Sequence, residues 1–236
     1  MIKQVVIFED LGRMGYGDAW AYQEELLQKN VRLKSESRKQ EPVSTRNYLL
    51  FVEHPPVFTL GKSGRIENIL ISTDEMKQEG IQFFNTNRGG DITFHGPEQL
   101  VGYPIIDLEN FYTDIGKYMR ALEEVIILTL AEYGIKGDRS AGETGVWIES
   151  DKKGHERKIC ALGVRCSRWI TMHGFAFNVN TDLSFFDHIV PCGIQDKKVT
   201  SLEKELGRGI SMEEVKQKVK YNFEKVFQVD LIESEG

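Results

Sequence analysis

The chain has 236 residues, 40 % of them apolar and 28 % charged, with a formal net charge of −6. That length supports a real core and suits one domain, and the composition is that of a folded protein rather than a disordered one. An acidic balance excludes a binder of nucleic-acid phosphates, no run reaches 18 apolar residues, and MIKQVVIFED lacks a signal peptide's apolar stretch and cleavage site, so a cytoplasmic protein that meets neither nucleic acid nor membrane is expected.

In chain order, residues 5–8 read as a first strand. Beyond the glycines of LGRMGYG, residues 18–33 carry Ala19, Trp20, Tyr22, Leu26, Leu27 and Val31 at helical spacing. Residues 34–45 are charged and contain Pro42; they read as an exposed loop or as the end of that helix. Residues 48–53 and Val57–Leu60 are strand-like runs, broken by His54-Pro55-Pro56 because proline cannot donate to a ladder. Ser72 with Glu75 is a capping box that opens a short helix ending near Gly80, and residues 81–84 give another strand.

Residues 88–108, RGGDITFHGPEQLVGYPIIDL, set three glycines, a histidine and a proline between two strand-like runs, Ile92–His95 and 100–108. With Gly96-Pro97 as punctuation the stretch reads as a β-hairpin. Gly89, Gly90 and Gly96 either serve a Gly-rich structural turn or let bare backbone approach a ligand, and Arg88, His95 and Gln99 supply polar groups beside them.

Downstream, Ile115, Tyr118, Met119, Leu122, Val125, Ile126 and Leu130 predict a helix begun at Asp114 and stopped at Gly134. Val146–Ile148 and residues 158–170 read as strands flanking the polar turn DKKGHERK, and Phe175, Phe177 and Val179 alternate with small or polar neighbours. Ser211 and Glu214 cap a C-terminal amphipathic helix through Phe227. Mixed strands with about five helices make an α+β class; strand order does not follow from these patterns.

Cys160, Cys166 and Cys192 cannot all pair within the chain and match no zinc spacing, even with His173, so reduced thiols are expected. Cys160 and Cys166 sit inside a β-like run and read as core. Cys192, in HIVPCGI, lies where proline and glycine force a turn; it is either a presented nucleophile or a small packed thiol. On a regular strand Lys158 shares a face with Cys160, Leu162, Val164 and Cys166, where desolvation would lower its pKa. The other face, Ile159, Ala161 and Gly163, is apolar too, so an exposed solubilising lysine fits equally well. His54, His155 and His188 read as turn caps or solvent-facing groups.

The stretch 88–108, the run Lys158-Ile-Cys-Ala-Leu-Gly and Pro191-Cys192-Gly193-Ile194, joined by RWITMHGFAFNVNTDLSFF, closely resemble the lipoate-pathway octanoyltransferases over roughly residues 47–199. Glu98 departs from that pattern, which has glycine there, and a non-glycine residue disfavours positive φ. The resemblance implies a single-domain α+β fold over 1–236, a central mixed sheet flanked by helices, of the biotin and lipoate ligase catalytic type. It implies octanoyl transfer from acyl carrier protein to a specific lysine of lipoyl domains, those of 2-oxoacid dehydrogenase E2 subunits and of the glycine cleavage H protein, with no cofactor: no ATP and no metal. Cys192 would carry a thioester and Lys158 would move protons. Matched by position, the acyl-binding residues are Arg88, Gly89, Gly90, Asp91, Ile92, Thr93, Phe94 and His95, then Ala161, Leu162 and Gly163, then Gly174, Phe175 and Ala176. Acidic protein partners imply a local basic patch, drawn from Lys62, Arg65, Lys152, Lys153, Arg157 and Arg165. The rivals are an ATP-dependent lipoate ligase of the same fold, disfavoured by the PCG cysteine and the lack of a third consecutive glycine, and a non-catalytic acyl-binding module.

Overall fold

A computed structural model describes residues 3–37, 44–190 and 198–234. Their order is β1 (Gln4–Arg13), α1 (Tyr16–Ser37), β2 (Asn47–Glu53), β3 (Val57–Leu60), α2 (Thr73–Gln78), β4 (Gln82–Asn85), β5 (Ile92–His95), β6 (Gln99–Ile105), α3 (Ile115–Ala131), β7 (Gly137–Asp138), β8 (Val146–Ile148), β9 (Arg157–Ser167), β10 (Ile170–Asn178), β11 (Lys198–Val199), α4 (Leu202–Leu206), α5 (Met212–Phe227) and β12 (Val229–Glu233). Among the described residues one mixed sheet of nine strands runs β12-β1-β2-β6-β10-β9-β8-β7, with β11 on β9, and a second of three runs β4-β3-β5.

The central strands are apolar in both phases, as strands covered on both faces must be. Leu49 and Phe51 of β2, Leu100 of β6, and Phe175 and Phe177 of β10 enter one core with the inner faces of α3 and α5. The alternate residues, Leu50 and Val52, Val101 and Tyr103, and Ala176, enter a second core under α1. The ends match their sequence signals: Ser72 and Glu75 form a reciprocal capping box on α2, Asp114 caps α3 through Lys117 N, and Ser211 caps α5 through Glu214 N. Helix α1 runs on to Ser37, so the start of the charged stretch is helical; residues 38–43 lie outside the described residues.

Two expectations are corrected. The stretch around Gly96 is not a hairpin: β5 pairs with β3 in the small sheet, whereas β6 pairs with β2 and β10 in the large one. Gly96-Pro97-Glu98 is instead the crossover that carries the chain from one sheet to the other. Glu98 there takes φ +60°, and its backbone is held by Glu53 Oε2 on its N–H and by Asn180 N and Thr181 Oγ1 on its carbonyl. Residues 158–170 are not one strand either, because Arg168 and Trp169 at φ +51° and +66° turn β9 back into β10. That is the positive-φ pair of a tight hairpin turn, made without the Asn-Gly signal that marks one in sequence.

Candidate active site

A cavity of about 370 Å³ lies between β9, β10 and the Arg88–Gly90 segment. Strand β8 pairs with β9 only as far as Cys160, and beyond it the RGG segment takes over that edge, with Gly89 N donating to Val164 O at 2.9 Å. Gly163 makes the approach possible: a Cβ there would stand 2.7 Å from Gly89 O. Lys158 and thirteen of the fourteen expected acyl-binding residues line this cavity. Phe94 does not line it. Its ring stacks on Phe185 at 4.6 Å and meets Phe58 and Phe186 edge-on, packing the small sheet instead.

One polar chain joins the wall segments. Arg88, 7 % exposed, donates through Nη2 to Thr59 O at 2.5 Å and to Thr59 Oγ1 at 2.9 Å. The Thr59 hydroxyl meets His95 Nε2 at 3.3 Å, and His95 Nδ1 meets Gln99 Oε1 at 2.9 Å. An amide oxygen only accepts, so His95 Nδ1 carries the proton. Gln99 Nε2 donates on to Asn178 Oδ1, Asn178 Nδ2 to Thr200 O, and Thr200 N to Lys158 O. Both ring nitrogens of His95 are engaged, and burial, with His54 and Arg88 nearby, holds its pKa well below the usual 6.5.

Lys158 is partly buried, its Nζ 4.6 Å from the centre of the Trp147 ring. It does not share a face with Cys160. Val146 pairs with Cys160 and Trp147 with Lys158, so Ile159 is an extra residue, a β-bulge. Ile159 and Cys160 both enter the α3/α5 core, and the alternation reverses there. Lys158 is thereby turned to the side of Trp147 and Ala161 and into the cavity. Burial pushes Cys160 up, and Cys166 is also raised by burial, as packed thiols should be. Cys192 lies outside the described residues; the described chain resumes at Lys198, and Val199 is the register partner of Lys158.

Sequence reasoning missed four groups here. His54 is fully buried rather than a turn cap: Nδ1 bonds Met14 O, Nε2 meets Tyr103 Oη at 2.7 Å, and burial pushes it down to about 4. Tyr16 stacks on His95 at 5.8 Å, and burial raises its hydroxyl to about 12. Tyr103 and His173 complete the wall. Their partners come from segments distant in sequence, so no spacing marks them. Half of the expected basic patch is paired with carboxylates: Lys152 and Arg157 with Glu149, Arg157 also with Glu205, and Arg165 with Glu24. Lys62, Arg65 and Lys153 are exposed. No group of three metal-ligating side chains occurs among the described residues, and no helix there is long and apolar enough to cross a membrane.

Sheet, helices and cavity define a catalytic domain of the lipoate ligase type. Solved structures of that fold include a bipartite lipoate protein ligase of Thermoplasma acidophilum (TM-score 0.68, 18 % identity, 99 % of this chain and 87 % of that one) and lipoate-protein ligase A bound with ATP (0.69, 16 %, 99 % and 89 %). Those identities speak to the fold alone. Residues 15–224 match the family model of the lipoyl protein ligase A/B catalytic domain. Two octanoyltransferases, from Christiangramia forsetii and Flavobacterium johnsoniae, are each 56 % identical over 233 residues, 98 % of this chain and 99 % and 100 % of theirs. The chain belongs to the lipoyl protein ligase A/B catalytic family and, within it, to the octanoyltransferases, and it is an acyltransferase.

Proposed function

We propose that the chain moves an octanoyl group from octanoyl-acyl carrier protein to a specific lysine of lipoyl domains, those of 2-oxoacid dehydrogenase E2 subunits and of the glycine cleavage H protein, in two steps through a thioester on Cys192. The observation that carries this reading is the cavity itself, a slot walled by glycine and alanine backbone, with Lys158 turned into it by the bulge. The chain that follows Cys192 returns beside the same lysine.

Lys158 takes the thiol proton, and the thiolate attacks the carrier's thioester carbonyl. The carrier thiolate leaves and takes that proton from Lys158, which is again free to accept one. The lipoyl-domain amine then attacks the Cys192 thioester, gives up a proton to Lys158, and expels the cysteine thiolate as the amide forms. One thioester is exchanged for another before the more stable amide is made, so neither ATP nor metal enters the balance. Burial of methylenes, at about 0.8 kcal/mol each, makes slot depth the determinant of chain length.

Acid-quenched intact mass measurement after mixing with octanoylated carrier tests the first step: one added octanoyl group is expected on the wild-type chain and none on Cys192→Ala. A wild type that stays unmodified while transferring octanoyl would rule out the covalent route. The second reading is an ATP-dependent ligase of the same fold, and amide formation from free octanoate only when ATP is added would favour it.

A further inference from the structure

The mechanism leaves one fully buried carboxylate unused. Glu123 of α3 is 0 % exposed, and a carboxylate is taken out of water only where other groups satisfy its oxygens. Here Oε2 accepts from Arg120 Nη1 at 2.6 Å and from Arg139 Nε at 3.1 Å, while Oε1 accepts from Gly145 N at 3.0 Å. Arg139 and Gly145 stand at the two ends of the connector between β7 and β8. One side chain therefore ties down both ends of that connector, and Gly142, Glu143 and Thr144 within it line the cavity. Glu123 lies behind this wall and does not line the cavity itself.

Gly145 is where the tie reaches Lys158. Its φ of +121° is open to glycine and strained for any other residue. A Cβ there would stand 2.7 Å from Cys160 O, 3.3 Å from Lys158 Cε and 3.4 Å from Lys158 Cδ, so bare backbone lies against the stem of the lysine. Further along the same strand the Trp147 ring meets Lys158 Nζ at 4.6 Å, and Val146 and Trp147 are the partners that frame the bulge at Ile159.

We propose that Glu123 is a positioning residue for acyl transfer: by holding the Gly145 N–H it fixes the backbone against which the Lys158 stem rests, and so sets where the ammonium stands in the cavity. This rests on the reading that gives Lys158 the proton transfers. The isosteric amide separates the role from side-chain volume. Glutamine ends in one oxygen and one NH₂ group, and the two guanidinium groups take the oxygen because hydrogen bonds from a cation are the stronger ones. The NH₂ then faces the Gly145 N–H, donor against donor, and Gly145 is released while the core stays filled.

A double-mutant cycle on octanoyl transfer from octanoylated carrier to a lipoyl domain tests this. Glu123→Gln should lower kcat by roughly 10²-fold with KM for the carrier within about threefold, as misplacing a catalytic group by about 1 Å does. In a Lys158→Ala background the same substitution should cost no more than about threefold, because no ammonium is left to misplace. A substitution that merely weakened the fold would lower both backgrounds by the same factor, so equal losses overturn the proposal. A loss carried by KM alone, or none at all with Lys158 present, overturns it as well. If Glu123→Gln does not fold, Arg139→Gln takes its place in the cycle: that guanidinium is 33 % exposed, and its removal frees one side of the Glu123 carboxylate. Its loss should again be confined to the background that keeps Lys158, and equal losses overturn the proposal. Full transfer by Lys158→Ala alone is a separate failure, of the lysine's part in the mechanism, and takes the proposal with it.

Discussion

Gly163→Ala tests whether the cavity depends on the close approach of the RGG segment to β9. The added Cβ would stand 2.7 Å from Gly89 O, a backbone atom, and 3.3 Å from Arg88 Cδ, so the segment must retreat about 0.7 Å to reach the 3.4 Å of ordinary contact. Such a retreat strains the bond from Gly89 N to Val164 O, now 2.9 Å. Overpacking at about 1–3 kcal/mol and a lost backbone bond at about 1 kcal/mol sum to about 2–4 kcal/mol. For a domain of this size that is roughly 5–10 °C in thermal midpoint. Because the same retreat shifts the cavity wall by nearly 1 Å, transfer of octanoyl should fall by about 10²-fold in kcat/KM. Calorimetry and a steady-state transfer assay read the two effects. A variant within about 1 °C and twofold of wild type would refute the contact as drawn.

Lys158→Ala should lower transfer by about 10²–10⁴-fold with little change in unfolding, and Lys158→Arg, which keeps charge but not a removable proton, should do nearly the same; full activity in the arginine variant removes the proton-transfer role. The buried histidines set a pH dependence of stability. His54 and His173 lie at about 4 and about 3, and His95 well below 6.5, so in the folded state they stay neutral while the unfolded chain protonates near 6.5. Stability is therefore full above about pH 6.5 and lost as pH falls toward 4, at about 1.4 kcal/mol per pH unit for each histidine; denaturant midpoints that stay flat from about pH 7 to 5 would contradict this. Glu98→Gly should stay within about 1 kcal/mol of wild type, as relief of the left-handed backbone offsets the lost bond from Asn180 Nδ2 to Glu98 Oε2, whereas Glu98→Val should cost about 2 kcal/mol more, read by urea titration.

Where the chain is periodic or capped, sequence sufficed. The α3 stripe, the Ser72 and Ser211 caps and the two-phase apolar strands all lie where local pattern and tertiary packing demand the same residues. The wall segments were legible as motifs, since glycine and a short polar run are local signals. Three things were not. Partner choice between sheets is non-local, so Gly96-Pro97 looked like a hairpin tip. Imidazole roles depend on what folds over them: His54 finds Met14 and Tyr103 from either side in sequence. Surface charge is legible in number but not in pairing, so Arg157 and Arg165 were counted as free positive charge although Glu205 and Glu24 meet them.

The direction of Lys158 differs from the sequence expectation for a reason that bears on function. Strict alternation puts Lys158 on the Cys160 face and His173 on the Phe175 face, both inside the α3/α5 core, where a lysine would have to be buried against hydrocarbon. The bulge at Ile159 and the left-handed backbone at His173 each reverse the alternation once, on neighbouring strands, and both side chains emerge on the cavity side. Between the two breaks the strands are regular, and Ala161, Gly163, Gly174 and Ala176 present almost no side chain to that side. The slot is thus the stretch of sheet left bare between two irregularities, and its polar ends are the residues those irregularities turn. Restoring the ladder at either break would return a cavity side chain to the core and close that end of the slot. The two local departures from β geometry are therefore requirements of the site.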